Sequence, residues 1–188
     1  MARRTAAGLR VFFVNYQSKE SISYMALRPQ RLLFVCLGNI CRSPAAEGVM
    51  QKLIDGQELS ERIEVDSAGT SSYHIGEPAD RRMLAAAASR GFDLTSRARM
   101  VHRRDFADFD MIVAMDQANM QELLSYSEAR PERVHKLSDF LEPHWPRDVP
   151  DPYLGGTEGF FTVLDMLEAA CPQIITSLLS PANVLPDR

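Results

Sequence analysis

The sequence predicts an α/β fold: a three-layer sandwich with a four-stranded parallel sheet flanked by helices on both faces. Three observations predict it. Short apolar runs alternate with segments of helical period from Arg31 to Ser180. The runs are continuously apolar rather than alternating, as in strands buried on both sides. The first run ends in V-C-L-G-N-I-C-R-S-P, Val35 to Pro44, just before a good helix former. In such sheets ligands bind beyond the carboxyl ends of the strands, which is where that loop falls.

The elements follow in order. Arg31 to Cys36 reads as the first buried strand. Ser43 is a natural N-cap and Pro44 a natural N1 residue, so a helix is expected from there to about Asp55. Arg62 to Asp66 is a second strand, ending in the small-residue loop Ser67-Ala68-Gly69-Thr70. Pro78 opens a helix that passes Met83 and Ala85 to Ala88 and stops at Gly91. Asp105 to Asp108 forms a short helix, Met111 to Met115 a third strand, and Asp116 caps a helix through Leu124. Arg133 to Leu137 is the fourth strand. A Pro-rich loop, Glu142 to Gly156, leads into a long amphipathic helix from about Thr157 to Ser180, which Pro172 is expected to kink or split.

These elements assign one domain to residues 31–180, a frayed tail to 181–188 and a separate character to residues 1–30. The first 30 residues carry Arg3, Arg4, Arg10, Lys19 and Arg28 against Glu20 alone. They read as upstream of a true start at Met25, with a disordered arm and an organelle-type targeting peptide as alternatives. The whole chain of 188 residues has a formal net charge of −4. A nucleic-acid binder is normally basic, so that class is set aside. No apolar run approaches a membrane span. The three cysteines, Cys36, Cys41 and Cys171, are too few for a disulfide framework and fit a reducing compartment. The four histidines, His74, His102, His135 and His144, lack metal-ligand spacing.

The loop itself is a chemical device. Successive backbone N–H groups can curl round an oxyanion, and a helix N-terminus adds positive potential. Both favour a thiolate at Cys36, a nucleophile that then needs no histidine base. Arg42 offers a planar fork for two phosphoryl oxygens. Gly38 permits close backbone approach, Asn39 tolerates positive φ, and Ser43 can donate its hydroxyl to the thiolate. The rival reading, a buried core cysteine beside a surface arginine, does not account for these residue types gathered at one strand-to-helix turn.

The decamer closely resembles the phosphate loop of the low-molecular-weight protein tyrosine phosphatases. The resemblance runs from about Arg31 to Ser180. It includes Glu47, Val65-Asp66-Ser67-Ala68-Gly69-Thr70, Gly76, Pro78, Ala98-Arg99, Asp105-Phe106, Phe109-Asp110, Met115-Asp116 and Asp151-Pro152-Tyr153. It implies the sheet and layers already read. It also implies hydrolysis of phosphotyrosine in proteins, and of aryl phosphates, by a cytoplasmic monomer or weak dimer. Cys36 is then the nucleophile of a cysteinyl-phosphate mechanism, and Arg42 the clamp. Leu37, Gly38, Asn39, Ile40, Cys41 and Ser43 complete the phosphate loop. The D-P-Tyr aspartate of the family places the general acid on Asp151, with Asp148 the nearby alternative. The proton it supplies is needed because an aryl or alkyl oxygen leaves poorly as an anion. Arginine and amides supply the charge, so no metal or other cofactor is expected.

The resemblance also implies that Leu37, Ile40, Tyr73 and Tyr153 line the entrance, the two tyrosines sandwiching a phenyl ring. The second aromatic common after D-P-Tyr is Leu154 here. Related phosphoarginine phosphatases carry threonine where this chain has Ile40, so an aryl substrate is favoured and phosphoarginine is the alternative. Thioredoxin-coupled arsenate reductases share the loop but need two further cysteines close together, and only Cys171 remains. A neighbour such as Cys41 traps an oxidised nucleophile in family members; a small packing residue is the alternative. Many members have a histidine near Ser96 that holds the loop asparagine. With Thr95-Ser96-Arg97 in this chain, Asn39 needs other holders, and Ser43, Asp66 and Ser67 are the candidates.

Overall fold

The computed structural model describes residues 28–180, so residues 1–27 of the N-terminal segment and the 181–188 tail lie outside it. Four strands form the sheet: β1 Gln30–Cys36, β2 Ile63–Gly69, β3 Met111–Ala114 and β4 Val134–Lys136. All pair in parallel, in the order β2-β1-β3-β4. The helices are α1 Arg42–Gly56, α2 Arg81–Ser89, α3 Asp105–Asp108, α4 Gln117–Leu124 and α5 Thr157–Leu178.

The period of two along β1 explains the layers. Leu32 and Phe34 join the core with α1, α2 and α5, where Met50, Phe160 and Leu167 are fully buried. Leu33 and Val35 join a second core with Phe106 of α3, Phe109 and Leu123 of α4. The predicted sandwich is therefore the observed one. β1 lies between β2 and β3, and its register sets Cys36 opposite Gly69 and Val35 opposite Ala114. The loops after β1, β2 and β3 thus gather at one edge of the sheet.

Several boundaries differ from expectation, each for a physical reason. β1 begins at Gln30, inside the span assigned to the N-terminal extension, because the Gln30 N–H bonds Arg62 O at 2.8 Å. β2 continues through Ser67-Ala68-Gly69, read above as a loop. Small residues there serve close approach: a Cβ on Gly69 would stand 2.7 Å from Leu37 O. α1 begins at Arg42, with Cys41 as its N-cap and no side-chain cap; Ser43 lies within the first turn and faces Cys36. α2 starts at Arg81, not Pro78, because the Asp80 carboxylate caps it through Arg82 N at 2.8 Å. β4 is trimmed to Val134–Lys136 by 3-10 turns at Pro131–Arg133 and Leu137–Phe140.

Pro172 does not split α5, which runs unbroken through it. A mid-helix proline costs about 3 kcal/mol. Pro172 and Glu168, whose carbonyl it leaves unpaired, both lie on the exposed face, so water can take that carbonyl. The opposite face buries Phe160, Leu164, Leu167, Cys171 and Ile174 among others, at about 1.5–3 kcal/mol for each large side chain. Burial outweighs the proline.

Candidate active site

Cys36 closes β1 and is 3 % exposed. Its sulfur lies 3.1 Å from Ser43 Oγ and accepts the Asn39 N–H at 3.3 Å. Asn39 takes the left-handed conformation, φ 54°, which turns the loop back toward the sulfur. Three bonds hold that residue. Its amide donates to Ser43 Oγ at 2.9 Å and Ser67 Oγ at 2.8 Å, and its carbonyl accepts the Arg99 N–H at 2.9 Å. Ser67 in turn donates to Glu47 at 2.6 Å.

Of the three holders expected for Asn39, Ser43 and Ser67 touch it. Asp66 stands one step back, bonded to the Arg99 guanidinium at 2.8 and 3.1 Å, while Asp105 takes the other side at 2.9 Å. The Arg99 contribution is a backbone N–H that no residue pattern announces. Burial pushes the Glu47 carboxyl up, against hydrogen bonds from Ser67 and Ser96. Ser96, at the aligned histidine position, therefore belongs to the same network.

Arg42 is 3 % exposed, and three hydrogen bonds orient its guanidinium. Nη1 donates to Asp116 Oδ2 at 2.6 Å and Val149 O at 3.1 Å, and Nη2 donates to Asp151 Oδ2 at 3.1 Å. Burial opposes its charge, but Cys36, Asp116 and Asp151 outweigh burial and push its pKa up. Asp116 has two tasks. As expected it caps α4, accepting the Asn119 N–H at 2.7 Å; its hold on Arg42 crosses 74 positions of sequence and was not foreseen. Asp151 Oδ1 accepts the Tyr153 N–H at 3.1 Å. Asp148 is turned elsewhere, to Gln117 N and Lys136 Nζ, both at 3.0 Å.

A cleft of about 220 Å³ gathers these groups. Cys36, Leu37, Gly38, Ile40, Cys41, Arg42, Asp151, Tyr73 and Tyr153 line it; Asn39 and Ser43 lie behind, as its supports. Tyr73 is 82 % exposed and stands on the rim. The ring nearer Tyr153 is His74, 6.4 Å between centroids, with its Nδ1 bonded to Glu77 at 2.8 Å. Sequence reasoning found only that His74 lacks metal-ligand spacing and passed over Ser71, which also lines the cleft. Cys41 is a buried thiol, its pKa pushed up to about 12 by burial and then by Asp80, Cys36 and Asp151. All three cysteines are free. A larger groove of about 640 Å³, between Asp139–Trp145 and α5, is lined by no cation that could hold an anion. Among the described residues no cluster of His, Cys, Asp or Glu is placed to hold a metal, and no helix is long and apolar enough to cross a membrane.

A doubly covered parallel sheet with a cysteine in an amide-lined loop and an arginine beside it defines the class of small cysteine-based phosphatases. Comparison with known proteins narrows the class. The family model for low molecular weight phosphotyrosine protein phosphatase matches residues 31–183. The human low molecular weight phosphotyrosine protein phosphatase is 39% identical over 143 residues, 74% of this chain and 90% of its own. A protein tyrosine phosphatase from Entamoeba histolytica is 48% identical, with a TM-score of 0.75 over 79% of this chain and 96% of that one. A Drosophila arginine phosphatase is 29% identical, with a TM-score of 0.73 over 80% of this chain and 98% of that one. The chain belongs to the low molecular weight phosphotyrosine protein phosphatase family.

Proposed function

We propose that the chain hydrolyses phosphotyrosine in protein substrates, and simple aryl phosphates, by two in-line displacements. The observation that carries this reading is one cleft lined by the Cys36 sulfur, the Arg42 guanidinium and the Asp151 carboxyl. In the first step the Cys36 thiolate bonds to phosphorus, the phosphorus–oxygen ester bond breaks, and Asp151 gives its proton to the leaving oxygen. In the second, water attacks the cysteinyl-phosphate while Asp151 takes its proton; the sulfur–phosphorus bond breaks and phosphate departs. Arg42 and the loop amides stabilise the equatorial oxygens throughout. Ser43, 3.1 Å from the sulfur, stabilises the departing thiolate.

The aryl group is held by Leu37, Ile40 and Tyr153, with Tyr73 and His74 at the mouth. The apolar Ile40 favours a phenyl ring over a guanidinium. Phosphoarginine is the second reading, favoured by the likeness to the Drosophila arginine phosphatase. Arsenate reduction is disfavoured because Cys171, the one further cysteine, is fully buried in α5. The free cysteines suit the reducing cytoplasm, and the chain is taken to act as a monomer or weak dimer.

The test compares kcat/KM on matched phosphotyrosine and phosphoarginine peptides. Preference for phosphotyrosine is expected, and the reverse preference overturns the substrate assignment. Cys36→Ser should abolish turnover. Asp151→Ala should depress kcat/KM strongly on phenyl phosphate and little on dinitrophenyl phosphate. Equal losses on the two would remove Asp151 from the acid role.

A further inference from the structure

We propose that Arg82 is a positioning residue that holds the Asp151 loop at the correct height over the phosphate loop. The proposal rests on the reading of Asp151 as the proton donor. Arg82 lies in the first turn of α2, outside the cleft lining, and touches none of the reacting atoms.

The structure supplies an unbroken chain of contacts. The Asp80 N–H donates to Ile40 O, inside the phosphate loop, at 2.7 Å. The Asp80 carboxylate caps α2 through Arg82 N at 2.8 Å and grips the Arg82 guanidinium at Nε, 3.1 Å, and Nη2, 2.9 Å. That two-point grip fixes the plane of the guanidinium as well as its position. It lies 5.5 Å from the centroid of the Tyr153 ring and 4.9 Å from that of Phe160. The Tyr153 N–H is bonded to Asp151 Oδ1 at 3.1 Å, so this ring and the acid move as one turn.

Both rings follow the acid closely in the chain and anchor the segment that leads from it into α5. Tyr153 stands two residues after Asp151, and Phe160 lies in the first turn of α5. A guanidinium between two aromatic faces is attracted to both. The chain around Asp151 is also tied by Val149 N to Met115 O at 2.8 Å and by buried Pro152 packed against Gly159. Those ties fix where the chain passes. The Tyr153 ring, which Arg82 meets, governs how the Asp151 turn is rotated about them. An exposed aspartate–arginine pair alone contributes little. Here the pair is a bracket that transmits the position of Ile40 to Tyr153.

The contact is single and half-exposed, so the expected effect is modest: about three- to tenfold, the scale of one cation–π contact. Arg82→Ala should lower kcat/KM on phenyl phosphate by that factor and on dinitrophenyl phosphate by less than twofold, since only the poor leaving group needs the proton. Arg82→Lys, which keeps a cation over the rings, should recover most of the loss. Within an Asp151→Ala background, Arg82→Ala should add nothing. The activated substrate reports in the same tube that the variant is folded. Equal losses on both substrates, or a further loss in the Asp151→Ala background, would overturn the role of Arg82 and leave the acid assignment standing. Asp151→Ala without leaving-group dependence would remove the acid assignment itself, and this proposal with it.

Discussion

Replacing Asp116 by asparagine asks how much of the Arg42 clamp is charge. The substitution is clean because asparagine is as good an N-cap as aspartate, so α4 keeps the bond to Asn119 N. What is lost is the negative partner 2.6 Å from Arg42 Nη1. Opposite charges with centres about 4 Å apart attract by about 4 kcal/mol at an effective dielectric constant of 20. About half of that remains, because the asparagine oxygen still accepts a neutral bond and Arg42 keeps Val149 O and Asp151. The net loss is about 2 kcal/mol, or about 30-fold in the fraction of molecules with the guanidinium set for an anion. The assay pairs kcat/KM on an aryl phosphate with inhibition by inorganic phosphate. Both should weaken by about 10- to 30-fold, with about 1 kcal/mol lost in urea unfolding. A variant within twofold of wild type in both kinetic measures would show that Arg42 is held by packing and refute the reasoning.

Other outcomes follow from single contacts. Gly69→Ala should cost most of the activity while leaving the fold intact, because its Cβ would press within 2.7 Å of Leu37 O and 3.2 Å of Asn39 N; kinetics beside a circular dichroism spectrum checks this. Asp110 is pushed up by burial, but Arg28, at 2.6 and 2.8 Å, and the Arg31 N–H, at 2.9 Å, outweigh burial and hold its pKa below the usual aspartate value. A depressed native pKa adds stability above the unfolded value near ~3.9, lost as pH falls through the native one. Asp110→Asn should therefore be less stable than wild type by about 0.5–1 kcal/mol at pH 7, and the gap in urea unfolding should close as the pH falls below 4. Iodoacetamide at pH 7 should label Cys36 but not Cys41, whose thiol is buried with a pKa of about 12; stoichiometric Cys41 labelling by mass spectrometry would contradict that environment.

Local chemistry makes much of this protein legible in its sequence. The Asp116 cap, the short helix at Asp105 and the buried strands are decided within a few residues of sequence, and each was found. V-C-L-G-N-I-C-R-S-P could be read as an anion cradle because every group it needs lies within ten positions. Misreadings arose where tertiary demand overrode local preference. Ser43 is a good N-cap by type, yet a capped helix would spend on itself the N–H groups an anion requires; the hydroxyl turns to Cys36 instead. Pro172 breaks helices by rule, but its ring faces water while the other side of α5 fills the core. The unseen residues act across long separations: Asp116 on Arg42, the Arg99 backbone on Asn39, and His74 beside Tyr153.

The company kept by Arg42 has a consequence for turnover. Its single positive charge faces Asp116 and Asp151, and the Cys36 sulfur lies in the same cleft. Part of that cation's hydrogen-bonding capacity is already taken up by the two carboxyl groups, so the cleft selects a phosphoryl group by the fixed geometry of its donors as well as by charge. An aryl phosphate would also meet Ile40 and the Tyr153 ring, which line the same cleft. Inorganic phosphate, the product of the proposed second step, has no ring to bring and so makes fewer contacts in the cleft than an aryl phosphate would. A site built this way gives up tight binding of its product and gains release.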